Sequence, residues 1–368
     1  MNIEEHWAHT EERLLHEAGS LSALLEQLRG RVSPVLVGER SWNRLVERAE
    51  KLPVTMAAFP FGFELPLHEL RPEADLGVSV IEGSRTAAFF QQAGGTEDAD
   101  PSSAGIAWML GELEREDSPL SRIAGGKMLL EYDIDASGDV AQPDPGVFLY
   151  PEEQVLVGDG QQSGDLNIVV DAVASATGRN PEPAGRRQIE RVYRATTPEM
   201  SVRSVGAFPS RESGIRLAIT GLRKAHEVEA FLERAGWPGQ PSAVAEVASP
   251  LEERRAFAYM GVHFDVDANG VGPALGLSFY AREEQWLKDI RHWTPLVDGI
   301  REQRLAVPEK LSELTASSSG VTSLFGKSGP FLLARGIHHI KLVLTEDRVD
   351  QVKAYVFLLM LGIRPSVG

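Results

Sequence analysis

The chain predicts an α+β fold, a closed antiparallel barrel of ten strands made from five helix-helix-strand-strand units with the helices outside. Three observations predict it. Paired stretches of helical periodicity precede each of five alternating hairpins, at Pro60–Ile81, Lys127–Tyr150, Val202–Thr220, Ala256–Tyr280 and His338–Leu359. The polar alternates of those hairpins are too charged to fill one packed core. No low-complexity linker interrupts the 368 residues, which read as a single domain with units at roughly 1–83, 84–150, 151–222, 223–281 and 282–368.

The first unit shows helical periodicity over Glu4–Leu28 and Ser41–Leu52, with Ser41 placed to cap the second helix and Pro53 to close the pair. Its hairpin alternates Phe61, Phe63 and Leu65 with Gly62, Glu64 and Pro66, and returns through Leu76, Val78 and Ile81. Ser84–Ala93 and Ser103–Glu116 lead into a run with Met128, Leu130 and Tyr132 on one side and Leu129, Glu131 and Asp133 on the other, returning near Val147–Tyr150. Gly164–Thr177 and Ala184–Ala195 precede the third hairpin, whose first strand alternates poorly around Arg203 and whose strands join at Ser210–Ser213. Glu227–Gly236 and Ser242–Arg255 precede the fourth, where Asn269-Gly270 is a turn signal. Glu283–Gln303 and Pro308–Ala316 precede a Ser/Gly-rich loop, Ser317–Gly329, expected to be a mobile segment or lid before the last hairpin.

Composition bounds the function. With 42% hydrophobic and 24% charged residues the chain can bury a sizeable core. A net charge of -16 opposes a nucleic-acid footprint, so an anionic ligand needs a local cationic cluster. Cysteine is absent, which excludes disulfides and thiolate chemistry and fits a cytoplasmic protein. The acidic, amphipathic start does not read as a secretory signal, and the longest apolar run, Ala354–Gly362, is too short for a membrane span.

Closing ten strands removes the edges, and the surrounding helices require an apolar outer face. The polar alternates then face a lumen. The rule sends Glu64, Glu131, Asp133, Arg203, Arg216, Thr220, His263, Asp265, Ser278, Tyr280, His339, Lys341, Lys353 and Tyr355 inward. Such a lumen reads as a solvated or ligand-filled cavity.

Five such units, inner basic residues Arg203, Arg216, Lys341 and Lys353, and the tyrosines Tyr280 and Tyr355 resemble the ABBA, or PT-barrel, aromatic prenyltransferases. The resemblance spans nearly the whole chain, is architectural, and rests on no contiguous motif. It implies transfer of a prenyl group from an allylic diphosphate to an aromatic small molecule or a peptide side chain, in secondary metabolism. The four basic residues would hold the diphosphate and the two tyrosines would shield the allylic cation. Glu64 or Glu131 would take the acceptor's proton, with His263 a further catalytic candidate. The resemblance requires no cofactor; magnesium is left open, and no metal motif accompanies it.

Several motifs are discounted. Asp133 to Asp139 and Asp265 to Gly270 begin like calcium loops but sit inside hairpins, where a turn reading prevails. His338 and His339 are adjacent, so a regular strand would point them to opposite faces and away from one shared metal. No HExxH or DDxxD pattern occurs, and the Gly326–Gly329 piece lacks a full phosphate-loop pattern. Two other functions compete: a non-catalytic barrel that binds a biosynthetic intermediate or peptide, and a hydrolase using Glu131, Asp133 and His263.

Overall fold

The computed structural model describes residues 3–134, 143–211, 214–281 and 290–363. Five groups of helices alternate with strand hairpins. The first group is α1 (Ile3–Glu17), α2 (Leu21–Leu28) and α3 (Glu39–Ala49), followed by β1 (Phe61–Pro66) and β2 (Asp75–Ile81). Then come α4 (Arg85–Gly94), α5 (Pro101–Glu114), α6 (Pro119–Ile123), β3 (Ala124–Tyr132) and β4 (Gly146–Pro151). The third group is α7 (Ser163–Thr177), α8 (Pro183–Arg194), β5 (Ser201–Ala207) and β6 (Ile215–Leu222). The fourth is α9 (Ala225–Ala235), α10 (Pro241–Glu253), β7 (Tyr259–Asp267), the two-residue β8 (Gly270–Val271) and β9 (Ala274–Tyr280). The last is α11 (Thr294–Glu302), α12 (Pro308–Ser317), β10 (Gly320–Gly326), β11 (Gly329–Thr345) and β12 (Arg348–Gly362).

Ten of these strands close on themselves. The order β12-β1-β2-β3-β4-β5-β6-β7 is completed by β9, which pairs with both β7 and β11, while β11 pairs with β12. All the barrel pairings are antiparallel, as short hairpins allow. The five hairpin turns therefore lie at one end of the barrel and the links to the helices at the other.

Alternation puts the apolar residues of each strand outside, under the helices. On β3, Met128 and Leu130 are fully buried, with Lys127, Leu129 and Glu131 on the opposite face. Trp42 of α3 packs on Phe63 of β1, and Phe231 of α9 stacks on Phe264 of β7 with centroids 6.3 Å apart. The core is thus a sleeve between barrel and helices, continuous around the ring.

Four expectations change. The helix expected over Glu4–Leu28 is two helices, broken at Gly19, whose φ of 78° suits glycine, and restarted by the Ser20 side chain accepting from the Ala23 amide. Ser41 is no cap: α3 begins two residues earlier, and the Ser41 hydroxyl accepts from the Ala74 amide. The expected lid at Ser317–Gly329 instead carries β10, paired with β11 from Gly320↔Arg335 to Gly326↔Gly329, because the run VTSLF alternates as a strand. His338 and His339 do not point to opposite faces, since a bulge between Ile337 and His339 adds a residue to β11 and turns both rings into the lumen. Of the helix expected over Glu283–Gln303, residues 283–289 lie outside the described residues, as do residues 135–139 of the first calcium-like segment and 212–213 of the third hairpin's loop. Among the described residues no helix is long and apolar enough to cross a membrane.

Candidate active site in the barrel lumen

The lumen, together with the space that continues it beyond the strands, is a cavity of about 2100 Å³. Of the fourteen residues expected to face it, twelve line it; Ser278 is buried within the wall, and Asp265 stands behind Arg216. All nine candidate site residues, Glu64, Glu131, His263, Arg203, Arg216, Lys341, Lys353, Tyr280 and Tyr355, are among the twelve. They do not form one cluster.

Near the hairpin end, cations and carboxylates neutralise one another. Glu64 stands opposite Tyr355 across the β1–β12 pair, and Lys341 opposite Lys353 across β11–β12. That register lets the Lys353 ammonium donate to Glu64 Oε1 at 2.5 Å, while the Tyr355 hydroxyl donates to Oε2 and accepts from Lys341. Burial alone would raise the Glu64 pKa, but the Lys353 and Lys341 charges outweigh it and hold the carboxyl far below its usual range. Lys341 is pushed down to about 8 by burial, against the pull of Glu64. Arg216 donates twice to Asp265, its direct partner across β6–β7, at 2.8 and 3.0 Å. Arg211, whose position in a loop gave no periodic signal, likewise holds Asp133.

Two carboxyls remain outside these pairs. Among the described residues, Glu131 has no hydrogen-bond or ion-pair partner; its strand neighbours directly opposite are Gly77 and Gly146, which carry no side chain to meet it. Burial and the Glu64 charge raise its pKa. Among the described residues, Asp75, opposite Glu64 on β2, accepts only the Ile134 amide, at 2.7 Å. Burial, then the Glu64 charge, pushes it up to about 7. An acid with a raised folded pKa is a penalty on the folded state that is full above that pKa and gone below the unfolded value. Asp75→Asn is therefore expected to raise stability at pH 8, by up to a few kcal/mol at ~1.4 kcal/mol per pKa unit, with the gain fading between about pH 7 and pH 4. Urea titrations at both pH values check this.

The helix-connection end carries the opposite balance. Lys127, which the alternation of β3 reaches when counted back two residues from Leu129, has its ammonium 5.2 Å from the Tyr150 ring centre, and no carboxylate partners it among the described residues. Burial and the neighbouring Arg203 charge lower its pKa. Arg203 is the extra residue of a bulge between Val202 and Ser204, which is why that strand alternates poorly; its only ion-pair contact among the described residues is a loose 3.6 Å to the solvent-exposed Glu153.

A wall of rings joins the two ends. Tyr259 stacks on Tyr280 at 4.7 Å, Tyr280 on His339 at 5.2 Å, and His339 on Tyr355 at 3.9 Å, with His263 parallel to His339 at 6.2 Å. The His338 and His339 Nδ1 atoms are 2.8 Å apart. Burial drives His263 and His339 well below 6.5, and burial with the Lys127 and Arg203 charges takes His338 to about 4, so all three are neutral at pH 7. Among the described residues no three His, Asp or Glu side chains stand close enough to share a metal ion. His263 faces His339 rather than Glu131 and Asp133, and Asp133 is committed to Arg211, so the hydrolase constellation is not assembled.

A scan of family models gives no match, and a search of curated proteins gives none either. Solved structures do match over nearly full length. AnaPT from Neosartorya fischeri aligns with 97% of this chain and 96% of its own at 10% identity and a TM-score of 0.55. Prenyltransferase PriB, in a ternary complex with L-tryptophan and dimethylallyl thiolodiphosphate, aligns with 95% of this chain and 100% of its own at 14% identity and a TM-score of 0.53. A 6-dimethylallyl tryptophan synthase aligns with 96% of both chains at 11% identity and a TM-score of 0.52. The chain has the ABBA, or PT-barrel, fold of the aromatic prenyltransferases.

Proposed function

We propose that the chain is a transferase that moves a prenyl group from an allylic diphosphate to an aromatic small molecule or a peptide side chain inside the barrel. One observation carries the reading: a ring wall runs between an end whose cations, Lys127 and Arg203, are free or loosely paired among the described residues and an end where Glu131 has no partner among them. The diphosphate is assigned to Lys127 and Arg203. Arg216, Lys341 and Lys353 would reach it only by releasing Asp265 and Glu64.

In the reaction the bond between the prenyl carbon and the diphosphate oxygen breaks, and its electron pair leaves with the diphosphate. The stacked rings of Tyr280, His339 and Tyr355 wall the allylic cation off from water. The acceptor supplies the electrons for the new bond and gives up a proton. Glu131 takes that proton, because its lone pairs are free and its basicity is raised, whereas Glu64 is held by two lysines and a tyrosine. The similar PriB structure, which bears dimethylallyl thiolodiphosphate and L-tryptophan, supports a small allylic donor and an aromatic acceptor. The cysteine-free composition suits a cytoplasmic place of work.

Calorimetric titration with dimethylallyl, geranyl and farnesyl diphosphates tests the reading. At least one should bind, and Lys127→Ala with Arg203→Ala should weaken it at least 100-fold, more than Lys341→Ala does. No binding of any of the three would reject the proposal. The engagement of Arg216, Lys341 and Lys353 favours a second reading, a barrel that binds an intermediate or peptide without turnover. Release of inorganic diphosphate in the presence of acceptor separates the two.

A further inference from the structure

The cavity is larger than the reactants need. Small-molecule sites enclose about 300–1,000 Å³, whereas this cavity measures about 2100 Å³ and does not stop at the strand ends. It continues past β6 into a groove floored by α9. His226, Ala230 and Arg234 line it at intervals of four residues, so one face of that helix forms its floor. Eight residues of helix span about 12 Å, the length of three to four extended peptide residues.

The groove's charges are unevenly spent; of its carboxylates, the exposed Glu199 accepts the Thr197 hydroxyl at 2.8 Å. Glu227 accepts the backbone amides of Arg223 and Lys224 at 2.7 and 3.1 Å, and Glu252 accepts the Ala225 amide and pairs with Lys224 at 3.0 Å. Their carboxylates thus serve the start of α9. Arg234 uses one donor on the Ala195 carbonyl. The exposed guanidinium groups of Arg223 and Arg255 have no hydrogen-bond or ion-pair partner among the described residues, and both line the cavity. Arg255 follows α10 at a φ of 52°, where glycine is the usual residue; the Ala256 amide bonding back to Leu251 fixes the chain there. Its side chain stands at the groove's rim.

We infer that this groove binds an acidic stretch of a peptide acceptor, which lies along α9 while its aromatic residue enters the lumen. The inference rests on the transferase reading for the identity of the acceptor. Recognition itself is electrostatic and steric: the exposed guanidinium groups of Arg223 and Arg255 take carboxylates, and the helix face sets the length.

Fluorescence anisotropy with three labelled peptides tests it: Gly-Trp-Gly-Asp-Glu-Asp, its amide counterpart Gly-Trp-Gly-Asn-Gln-Asn, and Gly-Trp-Gly-Lys-Lys-Lys, with N-acetyltryptophanamide as competitor. The acidic peptide should bind at least tenfold tighter than the amide peptide and the competitor, and added salt should erode the difference. Arg223→Ala with Arg255→Gly should abolish the preference, glycine being suited to the left-handed backbone. Arg223→Glu with Arg255→Glu should reverse it toward the lysine peptide. Equal affinity for all three peptides, or none above the competitor, overturns the inference. Donor titration of the same preparation keeps the two readings apart: donor binding without a peptide preference removes only the groove, and peptide preference without donor binding removes only the transferase.

Discussion

Glu131→Gln is expected to lower kcat by about 10²–10⁴-fold, the range a positioned general base supplies, while leaving donor affinity close to that of the parent. Glutamine keeps the shape and loses the proton site. The choice of Glu131 over Glu64 follows from their partners. Glu64 accepts from Lys353 and Tyr355 and has Lys341 3.9 Å away, so both oxygens are occupied and its basicity is depressed. Glu131 sits between two glycine positions with no partner among the described residues, and its pKa is raised by burial and by Glu64. A base with a raised pKa must be deprotonated to act, so the rate should rise with pH through a limb lying above the ordinary carboxylate value of about 4.3. The pH profile of kcat checks this. Should Glu64→Gln remove that limb and Glu131→Gln retain it, the roles are exchanged.

Glu64→Gln is expected instead to cost stability, about 3–5 kcal/mol at pH 7, because it leaves Lys341 and Lys353 facing each other without their counter-charge. The three side chains are only 13–24% exposed, so water screens the loss weakly. The deficit should narrow as pH rises, since Lys341, already down to about 8, then sheds its charge. In acid the sign differs. The folded Glu64 pKa lies below the unfolded one, so the stability it contributes is present above about pH 4.3 and is lost in the parent as pH falls further. Glu64→Gln should lack that acid-sensitive part, which makes the two stability curves converge at low pH. Chemical denaturation between pH 3 and pH 9 measures both limbs.

Much of this arrangement is legible in the letters, because a barrel imposes a two-residue period on every strand and a burial demand on one face only. Met128, Leu130 and Tyr132 against Lys127, Leu129 and Glu131 disclose the phase of β3 without any partner strand. What a single strand cannot disclose is its register. Whether Arg216 faces Asp265, and Lys341 faces Lys353, depends on pairings between segments tens of residues apart or across a hairpin of unstated length. The cations therefore look free in the sequence and are committed in the fold. Bulges hide for the same reason: the extra residue at Arg203 or His338 is defined by what the neighbouring strand lacks. Arg211 escapes notice because it comes from a loop, where no period exists to place it.

The charge division of the lumen is the claim on which the mechanism turns, and a crystal structure of the complex with dimethylallyl thiolodiphosphate tests it most directly. Both phosphorus atoms should lie at the helix-connection end, within reach of Lys127 and Arg203, with the Glu64–Lys353 and Arg216–Asp265 pairs intact. A diphosphate seated on Lys341 and Lys353, with Glu64 displaced, would contradict it.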